Sequence, residues 1–487
     1  MANKYFDQPC GGVDGTSKKV LTFYPKDDLS EAGAAELFVK KYRQQLLFCP
    51  SLGWLVWDGK RFAVSDTKAL GLATAYTKEV LTEATEHHNE LFRGITMREF
   101  LTADQNDAED YLKYAKRLRK NNAIKNVLSL AAPPFEVRQD DLDVDPFALC
   151  TPGGVIDLRT GQSRKHDPKD RCTKITAVSP SKDGAKRWQD FLRDITLGDD
   201  SLRGFLQMLC GMAAIGKVYH EGIVIATGEG SNGKSTFFNV VSRALGDYAG
   251  SVSPDILMAN ARGNVGANKA SLRGKRLVVA AETQEGERLS TAVVKQLSSR
   301  DRLVGEVKFK APEEFSITHT LVMFTNHLPR TSSTDYGTWR RLTIVPFKAD
   351  FTGATAIPDL EDKLFSECGG AVLDWVIEGA GNFIRNGYKL TIPDAVEIAT
   401  DEYRTREDWC SNFFSDCCEV ADPVREDVRT QGQALQRAYR EWAQENNEYV
   451  RRGNDLAEEL HRKKFQRVNC SGRKYWLGIK LNDLQYR

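Results

Sequence analysis

The chain has 487 residues, 41% hydrophobic and 28% charged, with 68 Lys and Arg against 67 Asp and Glu. That length exceeds one compact core and suggests about three domains of ordinary globular composition. The net charge of +1 is silent on partners, because a nucleic-acid binder needs only one basic groove, and no apolar run approaches the roughly 18 residues of a membrane helix.

The first residues, MANKYFDQPCGG, lack the charged-then-apolar pattern of a signal peptide, so a cytoplasmic protein without a membrane partner is expected. The ten cysteines are scattered with no C-x-x-C pair, which argues against a zinc ribbon and for buried or idle thiols. Residues 1–187 read as one or two mixed accessory domains. WLVWDGKRFAVSD, Trp54 to Asp66, alternates around Asp58-Gly59 as a hairpin does. A helical tract ends near YLKYAKRLRKNNAIKNVLSLAA, and DDLDVDPFALCTPGGVIDLRTGQ is punctuated into short strands by Pro146, Gly153-Gly154 and Gly161.

From Trp188 to about residue 350 helices alternate with short continuous apolar runs. GIVIAT, RLVVAAE and THTLVMFTN suit strands buried on both faces of a parallel sheet. The first is followed by Gly228-Glu229-Gly230-Ser231-Asn232-Gly233-Lys234-Ser235-Thr236, the G-x-x-x-x-G-K-[ST] spelling of a nucleotide-binding loop. Gly228 allows the tight turn and Gly233 lets backbone amides approach phosphates. Lys234 places a cation on the β- and γ-phosphates, and Ser235 offers a hydroxyl to Mg²⁺. A helix starting at Ser235 or Thr236 points its positive end at the anion. ATP and Mg²⁺ are the ligands expected.

Glu282 ends the next strand, where a carboxylate orients the attacking water or holds the metal. LVGEVKFKAPEEFSIT reads as a hairpin with Lys308 and Lys310 near its tip, flanking Phe309. Edge strands also carry lysine against aggregation, so a structural pair is the plain alternative. Asn326 ends THTLVMFTN and is placed to sense the γ-phosphate, and Arg340 and Arg341 precede a further strand. Residues 351–407 read as helices, and 408–487 as a separate module. There Leu435, Tyr439 and Trp442 share one helical face, and GNDLAEELHRKKFQRVNCSGRKYWLGIKL reads as a helix and two strands. Ten Lys and Arg against four Asp and Glu give residues 451–487 a net charge of +6. DNA binding through Arg462, Lys463, Lys464, Arg467, Arg473 and Lys474 is one reading, and a protein-docking module the other.

Five ordered motifs, Gly228 to Thr236, Glu282, Lys295 to Asp301, Thr325 to Pro329 and Trp339 to Phe347, resemble the superfamily-3 helicases of phages, plasmids and DNA viruses. The viral primase-helicases are the nearest type. The resemblance implies an α/β fold: an AAA+ P-loop motor with a parallel central sheet over 188–350 and a helical continuation over 351–407. An α+β accessory domain precedes it, and a winged helix over 408–487 follows. It also implies a hexameric ring pulling single-stranded DNA, with Lys234 and Ser235 on phosphates and Mg²⁺, and Glu282 catalytic. Asn326 is then the sensor and Arg341, with Arg340 as alternate, the arginine finger of the next subunit's site. Lys308 and Lys310 fall on the DNA-gripping hairpin. Ala281 stands where many relatives carry a second acid, leaving Mg²⁺ to Ser235, Glu282 and the nucleotide, with Glu285 as helper.

The leading expectation is therefore an ATP-dependent replicative helicase of a phage or mobile element, in host cytoplasm, acting on fork or origin DNA. A nucleotide-gated initiator or loader would use the same motifs. A primase-helicase with priming activity is the other alternative: it needs clustered acids for two metals, and QDDLDVDP, the one tempting cluster, resembles the accessory domain instead, which would leave priming to a separate protein. A small-molecule kinase is disfavoured by the trans arginine and the basic tail.

Overall fold

The hairpin expected around Asp58 and Gly59 forms, joining β2 (Gly53–Trp57) to β3 (Phe62–Val64), with β1 (Leu46–Cys49) on the other side of β2. The structure, a computed structural model, describes residues 21–93, 102–259, 269–282, 286–305, 313–331, 336–353, 356–421, 427–446 and 449–482. It divides into two compact units, residues 1–144 with 166–173, and 145–165 with 174–487.

In the first unit, the three strands accompany α1 (Glu31–Tyr42), α2 (Asp66–Leu91), α3 (Ala103–Leu118) and α4 (Asn121–Ala131). Local signals set the helix starts: the hydroxyls of Ser30 and Ser65 cap α1 and α2, and Thr102 with Gln105 forms a capping box on α3. Phe38, Tyr76, Tyr111 and Leu118 fill the core. Segment 166–173 returns to this unit, where Cys172 O accepts from Phe62 N at 2.8 Å and Asp143 Oδ1 from Thr173 N at 2.7 Å. Of the acids of QDDLDVDP, Asp143 is thus held by Thr173, and Asp141 accepts from Arg138 Nη2 at 3.0 Å.

In the second unit, β4 (Ala148–Thr151), β5 (Gly154–Asp157) and β6 (Gln162–Arg164) form an antiparallel meander. The sequence reading groups these strands with residues 1–187, but Leu149, Ile156 and Leu158 pack in one cluster with Trp188, Phe237 and Phe238. Then come α5 (Ala185–Ile195), α6 (Asp200–Ala214), β7 (Ile223–Thr227), α7 (Lys234–Leu245), β8 (Ala249–Val252) and β9 (Leu277–Ala281). α8 (Thr291–Ser298) precedes the hairpin β10 (Arg302–Gly305) and β11 (Glu313–Ser316), and β12 (Thr320–Thr325), α9 (Tyr336–Trp339) and β13 (Leu342–Pro346) follow.

Five strands form one parallel sheet in the order β13-β7-β12-β9-β8. Period-two burial divides each strand between two cores. Val224, Ala226, Val279, Val322 and Phe324 face a cluster containing α7 and α10 (Leu360–Arg385), while Ile223, Ile225, Val278, Leu321 and Met323 face the other. α11 (Asp394–Glu407) packs on that second side through Tyr403, whose ring meets Trp339 edge-on at 5.5 Å.

The chain ends in α12 (Trp409–Cys417), β14 (Cys418–Val420), β15 (Arg429–Gln431), α13 (Gly432–Glu445), α14 (Gly453–Arg462), β16 (Arg467–Cys470), β17 (Arg473–Leu477) and β18 (Ile479–Leu481). β15, β17 and β16 make a small antiparallel sheet against the three helices. Leu435, Tyr439 and Trp442 are buried together in this module's core, as their helical spacing predicts. Among the described residues no helix is long and apolar enough to cross a membrane.

Candidate functional site at the carboxyl edge of the sheet

Strand register gathers the polar candidates on one edge. Thr227 of β7 lies level with Thr325 of β12 and Pro346 of β13, and Phe324 lies level with Ala281 of β9. The next residues, Gly228, Asn326, Phe347 and Glu282, therefore leave the sheet side by side. β7 is flanked by the fourth and fifth strands in chain order, so successive connections diverge at its carboxyl end. Such a crevice is where open parallel sheets bind ligands.

The glycine-rich loop is held by close packing. A Cβ on Gly228 would lie 2.2 Å from Phe347 O and 2.3 Å from Asn232 Nδ2. Gly233 has φ +81°, and a Cβ there would meet Ile195 Cγ2 at 2.5 Å. Asn232, 2% exposed, donates from Nδ2 to Glu229 O at 3.2 Å and Phe347 O at 3.3 Å. Phe351 N donates to Ser231 O at 2.8 Å, pinning the other side of the loop. Glu229, Gly230 and Ser231 are exposed, and Ser231 is left-handed at φ 55°. Gly233 caps α7 without a side chain, so nothing of its own covers the helix's positive end. The helix begins at Lys234, and Ser235 and Thr236 are half-buried in its first turn. Phe237 stacks on Trp188 at 5.9 Å and Phe238 on Phe324 at 6.2 Å, fixing the helix against the core.

Lys234 is 4% exposed and its Nζ donates to Gly228 O at 3.0 Å, Asn232 Oδ1 at 3.3 Å and Asn326 Oδ1 at 2.5 Å. Burial lowers its pKa, and the charge of Glu282 partly opposes that shift. Glu282 itself is exposed, left-handed at φ 58°, and donates its backbone N–H to Phe324 O at 2.9 Å. A cation, an amide and a carboxylate thus meet beside an uncapped helix start, an arrangement that complements a polyanion. The Ser235 hydroxyl and Glu282 carboxylate are oxygen donors of the kind Mg²⁺ takes.

Arg340 and Arg341 lie at the opposite, amino edge of the sheet. Arg341 O accepts from Ile223 N at 2.8 Å, and its guanidinium donates to Glu221 O at 2.8 Å with the side chain 11% exposed. Arg340 is exposed. Half-buried His220 is held below the usual histidine range by desolvation and then by the Arg341 charge.

The expected basic set of the C-terminal module splits. Arg462 binds the buried Glu459 carboxylate from Nε at 3.0 Å, and Lys463 donates to Asp408 Oδ2 at 3.0 Å and Ser411 Oγ at 2.5 Å. The first pair lies within α14, and Lys463 ties the end of α14 to the start of α12. Lys464 is exposed with φ 66°, and Arg467, Arg473 and Lys474 are exposed on the β16–β17 hairpin. Lys308, Phe309, Lys310 and Glu285 lie outside the described residues. The clamp of α11 on the segment after Asn326 has no sequence signal: Tyr403 OH donates to Pro329 O, and Glu407 Oε2 accepts from Thr331 N at 2.8 Å.

Gly228→Ala is expected to lower stability by about 1–3 kcal/mol, because the added methyl overlaps the Phe347 carbonyl and the Asn232 brace. Urea unfolding reads this; a midpoint equal to that of the unsubstituted chain would mean the loop does not pack on Phe347.

A family model described as "D5 N terminal like" matches residues 35–197, and one described as "Family of unknown function (DUF5906)" matches residues 226–341. The chain is 24% identical over 476 residues to a protein of Acanthamoeba polyphaga mimivirus named "Putative helicase L207/L206", covering 91% of this chain and 48% of that one. It is 25% identical over 336 residues to "Putative helicase 184R" of Invertebrate iridescent virus 6, covering 58% and 33%. Against "Putative primase C962R" of African swine fever virus it is 24% identical over 329 residues, covering 63% and 34%. The chain thus spans about half the length of the first of these relatives and about a third of the others. The solved NrS-1 C-terminal region superposes with a TM-score of 0.39 at 10% identity, covering 62% and 76%, too loosely to argue from.

Proposed function

Taking the chain as one of the primase-helicase type found in phages and large DNA viruses, we propose that it is an ATP-dependent replicative DNA helicase working as a ring, a hexamer by resemblance, on single-stranded DNA. The observation that carries this reading is the 2.5 Å contact between Lys234 Nζ and Asn326 Oδ1, with Glu282 beside them on the same sheet edge. Two neighbouring strand ends and the glycine-rich loop then converge on one phosphate position. ATP entering there gives Lys234 an anionic partner in place of neutral oxygens, and it frees the Asn326 amide to turn its N–H groups to the γ-phosphate. Glu282 orients the attacking water. Mg²⁺ held by Ser235, with Glu282 near, would offset the charge that develops on the phosphates.

The expected strand movement comes from the β10–β11 hairpin, between whose strands Lys308 and Lys310 fall in the sequence. Changing both to Ala is expected to leave DNA-stimulated hydrolysis in place and abolish strand displacement; unchanged displacement would reduce the hairpin to scaffolding. The deciding experiment for the whole reading is strand displacement with ATP on duplexes bearing 3′ or 5′ single-stranded tails. Displacement on one tail polarity is the expected result. ATP-dependent assembly on DNA with no displacement would instead support an origin-binding initiator or loader. The basic C-terminal module keeps that second reading in view.

A further inference from the structure

The C-terminal module carries a concave face of about 810 Å³ between the starts of α13 and α14 and the β16–β17 hairpin. Arg452, Arg467, Arg473 and Lys474 line it, together with the exposed amide side chains of Gln433 and Asn454, and among the described residues no carboxylate does. The acids of α14 turn elsewhere: Asp455, Glu458 and Glu459 line a separate recess with Arg451 and Trp409. Gly453 keeps the floor low, since a Cβ there would lie 2.1 Å from the side-chain amide of Gln436.

From this groove we infer a binding site for double-helical DNA, distinct from the single-strand path of the motor. The cations sit on the hairpin and at the helix start, where they meet backbone phosphates on both sides of a groove. Between them the amides project from two helix starts, and amides pair with adenine edges in the wide major groove of B-form DNA. A single strand is disfavoured because the described lining offers no stacking platform, whereas sites for single strands interleave their cations with exposed aromatic faces. Among the described residues the one aromatic lining this groove, Trp476, is 3% exposed. Arg467 lies over its ring at 5.5 Å and His461 against it at 4.8 Å. Duplex RNA is disfavoured too, because its major groove is too narrow for helix starts to read.

The inference rests on the proposed function only in taking DNA as the polymer, so its test is run on the full chain without nucleotide. Fluorescence anisotropy compares a 20-base-pair DNA duplex, one of its strands, and the matching RNA duplex. R473A/K474A, at exposed hairpin positions, is expected to flatten the slope of log affinity against log salt for duplex DNA by about 2, one unit per lost phosphate contact. At low salt that is roughly a 100-fold loss of affinity. K480A, on the exposed side of β18 and outside the groove lining, removes one charge as a control and is expected to bind as the unsubstituted chain does. Unchanged duplex affinity in R473A/K474A would overturn the assignment, as would an equal loss on the single strand or on duplex RNA. Loss of ATP hydrolysis with duplex binding intact, as in K234A, leaves the groove standing and bears on the motor alone.

Discussion

Lys234→Ala is expected to slow ATP hydrolysis by about 10²- to 10³-fold at saturating nucleotide, the usual effect of removing one preorganised electrostatic contact from a developing charge. The chain should still fold. Lys234 is 4% exposed and its hydrogen-bond acceptors, Gly228 O, Asn232 Oδ1 and Asn326 Oδ1, are all neutral. Its burial lowers its pKa, so the charged form is disfavoured in the folded protein relative to the unfolded chain. The unfolded chain then binds the proton more tightly, and this residue's share of stability rises with pH between the lowered value and the ordinary lysine value. At neutral pH the charge therefore costs stability, and its removal leaves the melting temperature level or higher. ATP reverses the preference, since a triphosphate favours the ammonium. Affinity for ATP should fall as pH rises through the lowered Lys234 pKa, and Lys234→Ala should lose that dependence. Near-normal turnover in the variant would take the glycine-rich loop out of the mechanism.

The parts of this site that sequence reveals are those with local causes. Two glycines, a lysine and a hydroxyl within nine residues are legible because backbone conformation and phosphate approach demand them at fixed spacing. The parallel strands are legible because burial on both faces leaves continuous apolar runs. What is not legible is pairing across long separations. The Asn232–Phe347 brace spans 115 residues and the Lys234–Asn326 contact 92. Each exists only because the strand order sets β13 and β12 on either side of β7.

Charge counting has the same limit. A net +6 over residues 451–487 marks the tail as basic but not which cations are free. The Arg462–Glu459 pair was open to reading at i, i+3, a spacing that places both side chains on one helix face. Lys463 finds Asp408 from 55 residues away, which no local pattern announces. Arg452, which local charge also includes, gains meaning only when the start of α14 is seen to face the hairpin. The β4–β6 meander is a further case: its punctuation by Pro and Gly gives strands, while the core they join is decided by Leu149 and Ile156 packing near Trp188.

Arg340→Ala is expected to suppress hydrolysis by about 10³- to 10⁵-fold while leaving ATP binding intact, the effect of removing an arginine finger supplied in trans. The geometry excludes a role in the chain's own site. β13 separates Arg340 from the Phe347 edge by five residues, about 16 Å of extended strand, which a guanidinium does not span. Between the two adjacent arginines, burial makes the choice. Arg341 is committed to Glu221 within its own chain, whereas Trp339, 7% exposed and packed on Tyr403, anchors the turn that leaves Arg340 in solvent. Arg341→Ala should therefore lower the melting temperature, with hydrolysis falling only as far as folding does. Mixing distinguishes trans action from a local effect. Subunits carrying Lys234→Ala keep the finger, and subunits carrying Arg340→Ala keep the phosphate lysine, so each is slow alone but mixed rings contain complete sites. Turnover should reappear on mixing, highest near equal proportions. A mixture that stays inactive, while each variant still assembles with unsubstituted subunits, would confine Arg340 to its own chain and remove the physical link between ring assembly and hydrolysis.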